Sequence, residues 1–99
     1  MKKNWKSPQI EELIQAFASL NGKAEIANFL RDIATIKEIE SMSERWKCSK
    51  LLHDGLSYRE VSKQTGASTT TVARVANWMM NGEGGYKKAL KMLDEKKEA

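Results

Sequence analysis

Apolar residues recur along this chain at spacings of three and four, and no stretch shows the apolar–polar alternation of a half-buried strand. Ile10, Leu13, Ile14 and Phe17 form one such stripe. Ser7 precedes it as a capping residue and Pro8 occupies the first helical position, where a missing N–H costs nothing. Asn21-Gly22 reads as the end of that helix. Ile26, Phe29 and Leu30 then mark a short second helix over about 23–31. Thr35 with Glu38 is a capping box opening a long third helix, from 36 to about 53. Ile36, Ile39, Met42 and Trp46 lie on one side of it, Leu51 and Leu52 fall near its end, and Gly55 stops it. After Gly82, Gly84 and Gly85 a last helix over 86–97 carries Leu90 and Leu93 on a thin apolar stripe, with Ala89 beside it. The outermost residues at both ends are expected to fray. The pattern predicts an all-α chain of five to six helices.

Between the third and last helices, the segment LSYREVSKQTGASTTTVARVANWMM has the shape of a helix-turn-helix. Ser57 caps a first helix with Val61 and Thr65 on its inner face, and Ser62 is small enough for a second helix to cross nearby. Gly66 supplies the positive backbone angle of the turn. Ser68 caps a second helix whose inward stripe is Val72, Val75 and Met79. Thr69, Thr70 and Thr71 remain facing outward, followed by Arg74 and Asn77 at helical spacing. Short hydroxyls and a forked cation are groups that read base edges and phosphates. Helix-turn-helix pairs also serve as packing units, and a Ser/Thr run at a helix start often only caps it. Three consecutive threonines, however, cost about 0.5 kcal/mol each in helix propensity relative to alanine, which favours DNA contact over a purely structural role.

Charge changes the picture by its placement. The chain of 99 residues has 17 Lys and Arg against 13 Asp and Glu, a net charge of +4. Residues 56–99 hold 8 basic and 5 acidic side chains, whereas 1–55 hold 9 and 8. The excess therefore lies mainly in the half with the reader, as an electrostatic footprint for phosphate would, although Lys87, Lys88, Lys91, Lys96 and Lys97 also fit a solvated helix face. No apolar run reaches the roughly 18 residues of a membrane span, and MKKNWKSPQ lacks the apolar stretch of a signal peptide, so a cytoplasmic protein is expected. Cys48 stands alone and reads as a small core residue; His53, also alone, reads as a residue near a helix C-terminus rather than a metal ligand. Paired catalytic carboxylates, a nucleophile with its base, and a phosphate-cradling glycine loop are all missing from the sequence, which argues against an enzyme. Trp5, Ile10, Phe17, Phe29 and Trp46 need more cover than so small a chain supplies, and dimerisation would provide it.

The helix order, the stretch IATIKEIESMSERWKCSKLLHDGLSYREVSKQTGASTTTVARV and, above all, LSYREV followed by TGAS and TVARV resemble the Trp-repressor-like family, within its YerC/YecD branch. The resemblance covers most of the chain. It implies an intertwined all-α homodimer with one domain over 1–99: dimerisation helices in 7–55, the helix-turn-helix in 56–81 and a C-terminal helix in 86–97. Each chain would present one reader to successive major grooves, with palindromic half-sites about one helical turn, roughly 34–36 Å, apart. Arg59 matches a phosphate-contacting arginine of the family; Thr69, Thr70 and Ala73 match groove-facing positions, and Thr71 matches in residue type. Water carries many base contacts in this docking mode, so short threonines need not touch bases directly.

The resemblance weakens at the family's amino-acid pocket. Arg74 matches one ligand-holding arginine, but the other aligns to Glu44, with Arg45 one position on and turned about 100° around the helix. The pocket's glycine aligns to Val75 and its serine to Trp78. A carboxylate in place of a cation repels the ligand's own carboxylate, and Val75 with Trp78 fills the space of an indole ring. Tryptophan binding is therefore not expected, no cofactor or metal is implied, and Arg74 and Arg45 are the candidates for an effector of other chemistry. The sequence thus predicts a homodimeric, sequence-specific regulator of transcription bound to double-stranded DNA and not to membranes. Its DNA-binding residues would be Arg59, Lys63, Ser68, Thr69, Thr70, Thr71, Ala73, Arg74 and Asn77. The alternative is a helical protein-docking module using Trp78, Met79 and Met80 as a soft apolar surface, with Met79 in the core and Trp78 against the last helix if it is not.

Overall fold

The computed structural model describes residues 4–98; the fraying expected for residues 1–3 and 99 lies outside the described residues. Six α-helices and no strands are present among them: α1 Pro8–Ala18, α2 Gly22–Ile33, α3 Ile36–His53, α4 Tyr58–Thr65, α5 Thr69–Asn81 and α6 Gly85–Glu98. The residues group into two units, one ending at Ile39 and the other beginning at Glu40.

In the first unit the local signals act as anticipated at the helix starts. Ser7 accepts the Ile10 N–H at 3.2 Å behind Pro8. Thr35 and Glu38 exchange both bonds of a capping box, at 2.8 and 3.1 Å. The end of α1 differs from expectation. The helix closes at Ala18, because the Ser19 N–H turns back to the Gln15 and Ala16 carbonyls and the Ser19 hydroxyl donates to Ala16 at 2.8 Å. Gly22, at φ +83°, instead begins α2, whose first turn is held by the Glu25 carboxylate accepting the Asn21 N–H at 2.7 Å. Phe17 meets Phe29 edge-on at 4.9 Å, joining α1 to α2. Neither helix contains a buried residue, and Leu13, Ile14, Ile26 and Ile33 are all exposed.

The second unit holds the core. Cys48 from α3, Val61 from α4, Ala67 from the turn, and Val72 and Val75 from α5 are buried together. Leu51, Leu52, Leu56, Met79 and Tyr86 pack around them, and Leu90 of α6 is also buried. Cys48 thus fills space as a small apolar side chain. His53 does sit in the last turn of α3, where it pairs with Asp94 of α6 at 2.7 Å. Gly82 begins the break between α5 and α6 for a reason other than flexibility. A Cβ there would lie 2.4 Å from the Trp78 carbonyl oxygen, which accepts the Gly82 N–H at 2.9 Å. The chain turns so closely over the end of α5 that only glycine fits. Among the described residues no helix is long and apolar enough to cross a membrane.

Candidate nucleic-acid interface

The α4–turn–α5 segment is held by hydrogen bonds that begin at its caps. Ser57 accepts the Glu60 N–H at 3.2 Å while the Glu60 carboxylate accepts the Ser57 N–H at 3.0 Å, a second complete capping box. The Ser57 backbone N–H, and after it the Ser57 hydroxyl, hold the Glu60 carboxyl below the usual carboxylate range. A carboxyl whose pKa is lower folded than unfolded stabilises the fold above the unfolded value and loses that contribution as pH falls through the folded one. In Glu60→Gln the acid limb of the thermal stability profile, below about pH 4.5, is expected to flatten. Thermal melts of both proteins across the acid range would check this; identical limbs would contradict it.

At the other end of α4, Gly66 takes φ +80° and ψ −3° and returns its N–H to the Ser62 carbonyl at 2.9 Å. Two side chains stitch the turn. The Ser62 hydroxyl donates to the Ala67 carbonyl at 2.6 Å. The Thr65 hydroxyl donates to the Val61 carbonyl at 2.8 Å and accepts the Ala67 N–H at 3.1 Å, with the Cys48 thiol 3.7 Å away as a further donor. The Gly66 N–H and both the N–H and carbonyl of Ala67 thereby find partners within five residues in sequence, which fixes the turn between α4 and α5 locally. Smallness at Ser62 and inward placement at Thr65 are only part of their roles; their hydroxyls do the joining.

Beyond the turn, Ser68 accepts the Thr71 N–H at 3.1 Å, and its hydroxyl also donates to the Thr71 side chain at 3.1 Å. The three threonines are thus not equivalent. Thr71 is half-buried and tied to the cap, whereas Thr69 and Thr70 are exposed at the first turn of α5. Ala73, Arg74 and Asn77 are exposed further along the same helix, with Asn77 accepting from the Asn81 amide at 2.8 Å. Arg59 and Lys63 are exposed on α4, which packs against α5. The fold therefore gathers two cations on α4 and a polar, cationic exposed stripe on α5, separated by one glycine turn. Val72 and Val75 hold the opposite side of α5 in the core.

Arg45, a candidate for effector binding, lies in α3 with its guanidinium 6.0 Å from the Trp78 ring centre. Arg74, the other candidate, is exposed. Trp78 is 41% exposed and forms, with Trp46, Gly82, Glu83, Gly85, Tyr86 and Ala89, the wall of an open groove of about 480 Å³. Met79 is half-buried against the core, short of the full burial expected of a core residue, and Met80 is 68% exposed. The Arg45–Trp78 contact and the Trp46–Tyr86 groove were not legible in the sequence, since their members lie on different helices with no local spacing to join them.

Comparison with known proteins places this geometry. Residues 8–94 match the family model of the Trp repressor protein. The chain is 32% identical over 87 residues to the uncharacterized protein YerC of Bacillus subtilis, covering 88% of this chain and 84% of that one. A crystal structure of a TrpR-like protein from Eubacterium eligens superposes with a TM-score of 0.82 at 36% identity, over 90% of this chain and 92% of the other. A Staphylococcus aureus structure, assigned provisionally as a Trp repressor, gives 0.81 at 29% identity, over 90% and 89%. With the helix order, the capped helix-turn-helix and most of its length accounted for, the chain belongs to the Trp repressor family.

Proposed function

We propose that this protein is a sequence-specific, DNA-binding regulator of transcription that acts as a homodimer in the cytoplasm and does not respond to tryptophan. The family is one of helix-turn-helix regulators and not of enzymes. The observation that carries the reading is the exposed stripe of α5, with Thr69, Thr70, Ala73, Arg74 and Asn77 on a helix whose other side is fixed in the core. In this reading Thr69, Thr70, Ala73, Arg74 and Asn77 face the major groove, while Thr71, expected from the sequence to join them, is tied to the Ser68 cap and supports the start of the helix. Arg59, Lys63, Ser68 and the helix N-termini take phosphates. Dimerisation is supported by α1 and α2, two amphipathic helices with exposed Leu13, Ile14, Ile26 and Ile33 and no buried residue. A second copy is the occupant the family resemblance implies for those faces, making 7–55 the dimerisation region of one domain.

Thr70→Ala and Arg59→Ala separate the two kinds of contact. Loss of Thr70 is expected to relax discrimination at one base pair by about 1–3 kcal/mol, or roughly 5- to 150-fold, with little change on random duplex. Loss of Arg59 is expected to weaken binding to every sequence and to flatten its salt dependence. Fluorescence anisotropy on a selected and a scrambled duplex measures both, and equal losses on the two duplexes for both variants would overturn the assignment. Exposure of Met80 and Trp78 favours a second reading, a surface for another protein. Absence of any duplex affinity, together with a partner whose binding is insensitive to salt, would establish that reading instead.

A further inference from the structure

The reader helix is anchored twice. Its N-terminal half is fixed by Val72 and Val75 against Val61 and Cys48. Its C-terminal half packs Met79 against the same core and, on a neighbouring side, meets α3 through an aromatic ring under a cation: the Arg45 guanidinium lies 6.0 Å from the Trp78 ring centre. Arg45 is half-buried, and its charge also reaches the half-buried Tyr86 phenol, whose pKa burial raises and Arg45 opposes. The cation therefore sits where the end of α5 and the start of α6 come close to α3. The chain closes on this point, since the Gly82 N–H bonds to the Trp78 carbonyl and leaves no room for a Cβ.

We propose that Arg45 and Trp78 form a positioning pair that holds the C-terminal half of α5 to α3 and so sets the presentation of the recognition stripe without an effector. The inference rests on the DNA-regulator reading for its functional consequence. Arg45 and Trp78 act through the helix and touch neither base nor phosphate. A guanidinium over an indole is a contact of definite geometry, and at a partly exposed site it is worth a factor of about 2–5 in an equilibrium. A reader whose binding-competent orientation is populated less often binds more weakly by that fraction.

The test is a double-mutant cycle of Arg45→Met and Trp78→Leu, with Trp78→Phe as the conservative variant that keeps a ring face. Native-state hydrogen exchange of the amides of residues 78–81 and affinity for a selected duplex are read in parallel. Each single variant is expected to lose about 2- to 5-fold in protection and in affinity, the double variant is expected to lose no more than a single one, and Trp78→Phe is expected to retain most of both. The slope of affinity against salt should stay unchanged, because no phosphate contact is lost. Additive losses in the exchange cycle would overturn the positioning pair. A shallower salt slope in Arg45→Met would also overturn it, by making Arg45 a phosphate contact. A wild-type protein that binds no duplex would overturn the regulator reading itself, whereas coupling absent from the exchange cycle overturns this inference alone.

Discussion

Affinity for its preferred duplex is expected to fall about a hundredfold between roughly 50 and 200 mM salt. In the proposed DNA-binding reading Arg59 and Lys63, both exposed on α4, neutralise two phosphates per reader. A two-fold dimer doubles that to about four, and each neutralised phosphate contributes about −0.9 to the slope of log affinity against log salt. A fourfold rise in salt then removes a little over two orders of magnitude. Retention of a randomised duplex pool at the two salt concentrations, followed by sequencing, measures this fall and identifies the bound sequence together. Enrichment of a palindrome with half-sites about one helical turn apart is the accompanying expectation, since two readers related by a two-fold axis enter successive grooves. A slope half as steep would point to a single reader on the DNA, and affinity indifferent to salt would contradict phosphate binding altogether.

Val61→Ala is expected to be strongly destabilising, as damaging as the same change at Val72 or Val75. Val61 is fully buried in one cluster with Cys48, Val72 and Val75, and it lies on α4 next to Ser62 and one turn before Thr65, whose hydroxyls stitch the turn. Deleting two methyl groups removes about 1.6 kcal/mol of transfer free energy, and the cavity left behind brings the total to about 2–3 kcal/mol. For a chain of this size that corresponds to a fall of roughly 10–20 °C in Tm. Few other side chains can move in to fill the space, because the buried set is small and its members are themselves short. Calorimetric melting measures the loss. A fall of only a degree or two would show that the α4–α5 pair contributes little to the stability of its unit.

The same substitution separates two levels at which this protein is encoded. The helices and the reader's turn were legible in the chain because each depends on neighbours in sequence. Thr35 with Glu38 and Ser57 with Glu60 close their capping boxes within one helical turn. Gly66 takes a left-handed angle that its lack of a Cβ permits and a side chain would strain, and Val61, Val72 and Val75 face inward at helical spacing. A period and a cap are local properties, so a reading of periods and caps finds them. Where two local signals competed, the outcome was less readable: Asn21-Gly22 looks like the end of α1 and is the start of α2, because the Ser19 hydroxyl and backbone satisfy the helix end first.

Contacts between helices were decided by tertiary structure alone. The 2.7 Å pair of His53 with Asp94 joins residues 41 positions apart, and Arg45 reaches Trp78 from a different helix. Their meeting depends on the angles at which α3, α5 and α6 cross, which follow from how the whole buried set fills its volume and not from any spacing in the chain. The division among the three threonines is of the same kind in miniature. Composition made them equivalent candidates for DNA contact, but the geometry of the Ser68 cap ties Thr71 down and leaves Thr69 and Thr70 exposed. The sequence by itself determined that there is a helix-turn-helix and which helix would carry the proposed reader, because periodicity and capping act over one or two turns. Only the folded chain decided how that helix is held and which of its groups remain available, because those depend on packing among residues distant in sequence.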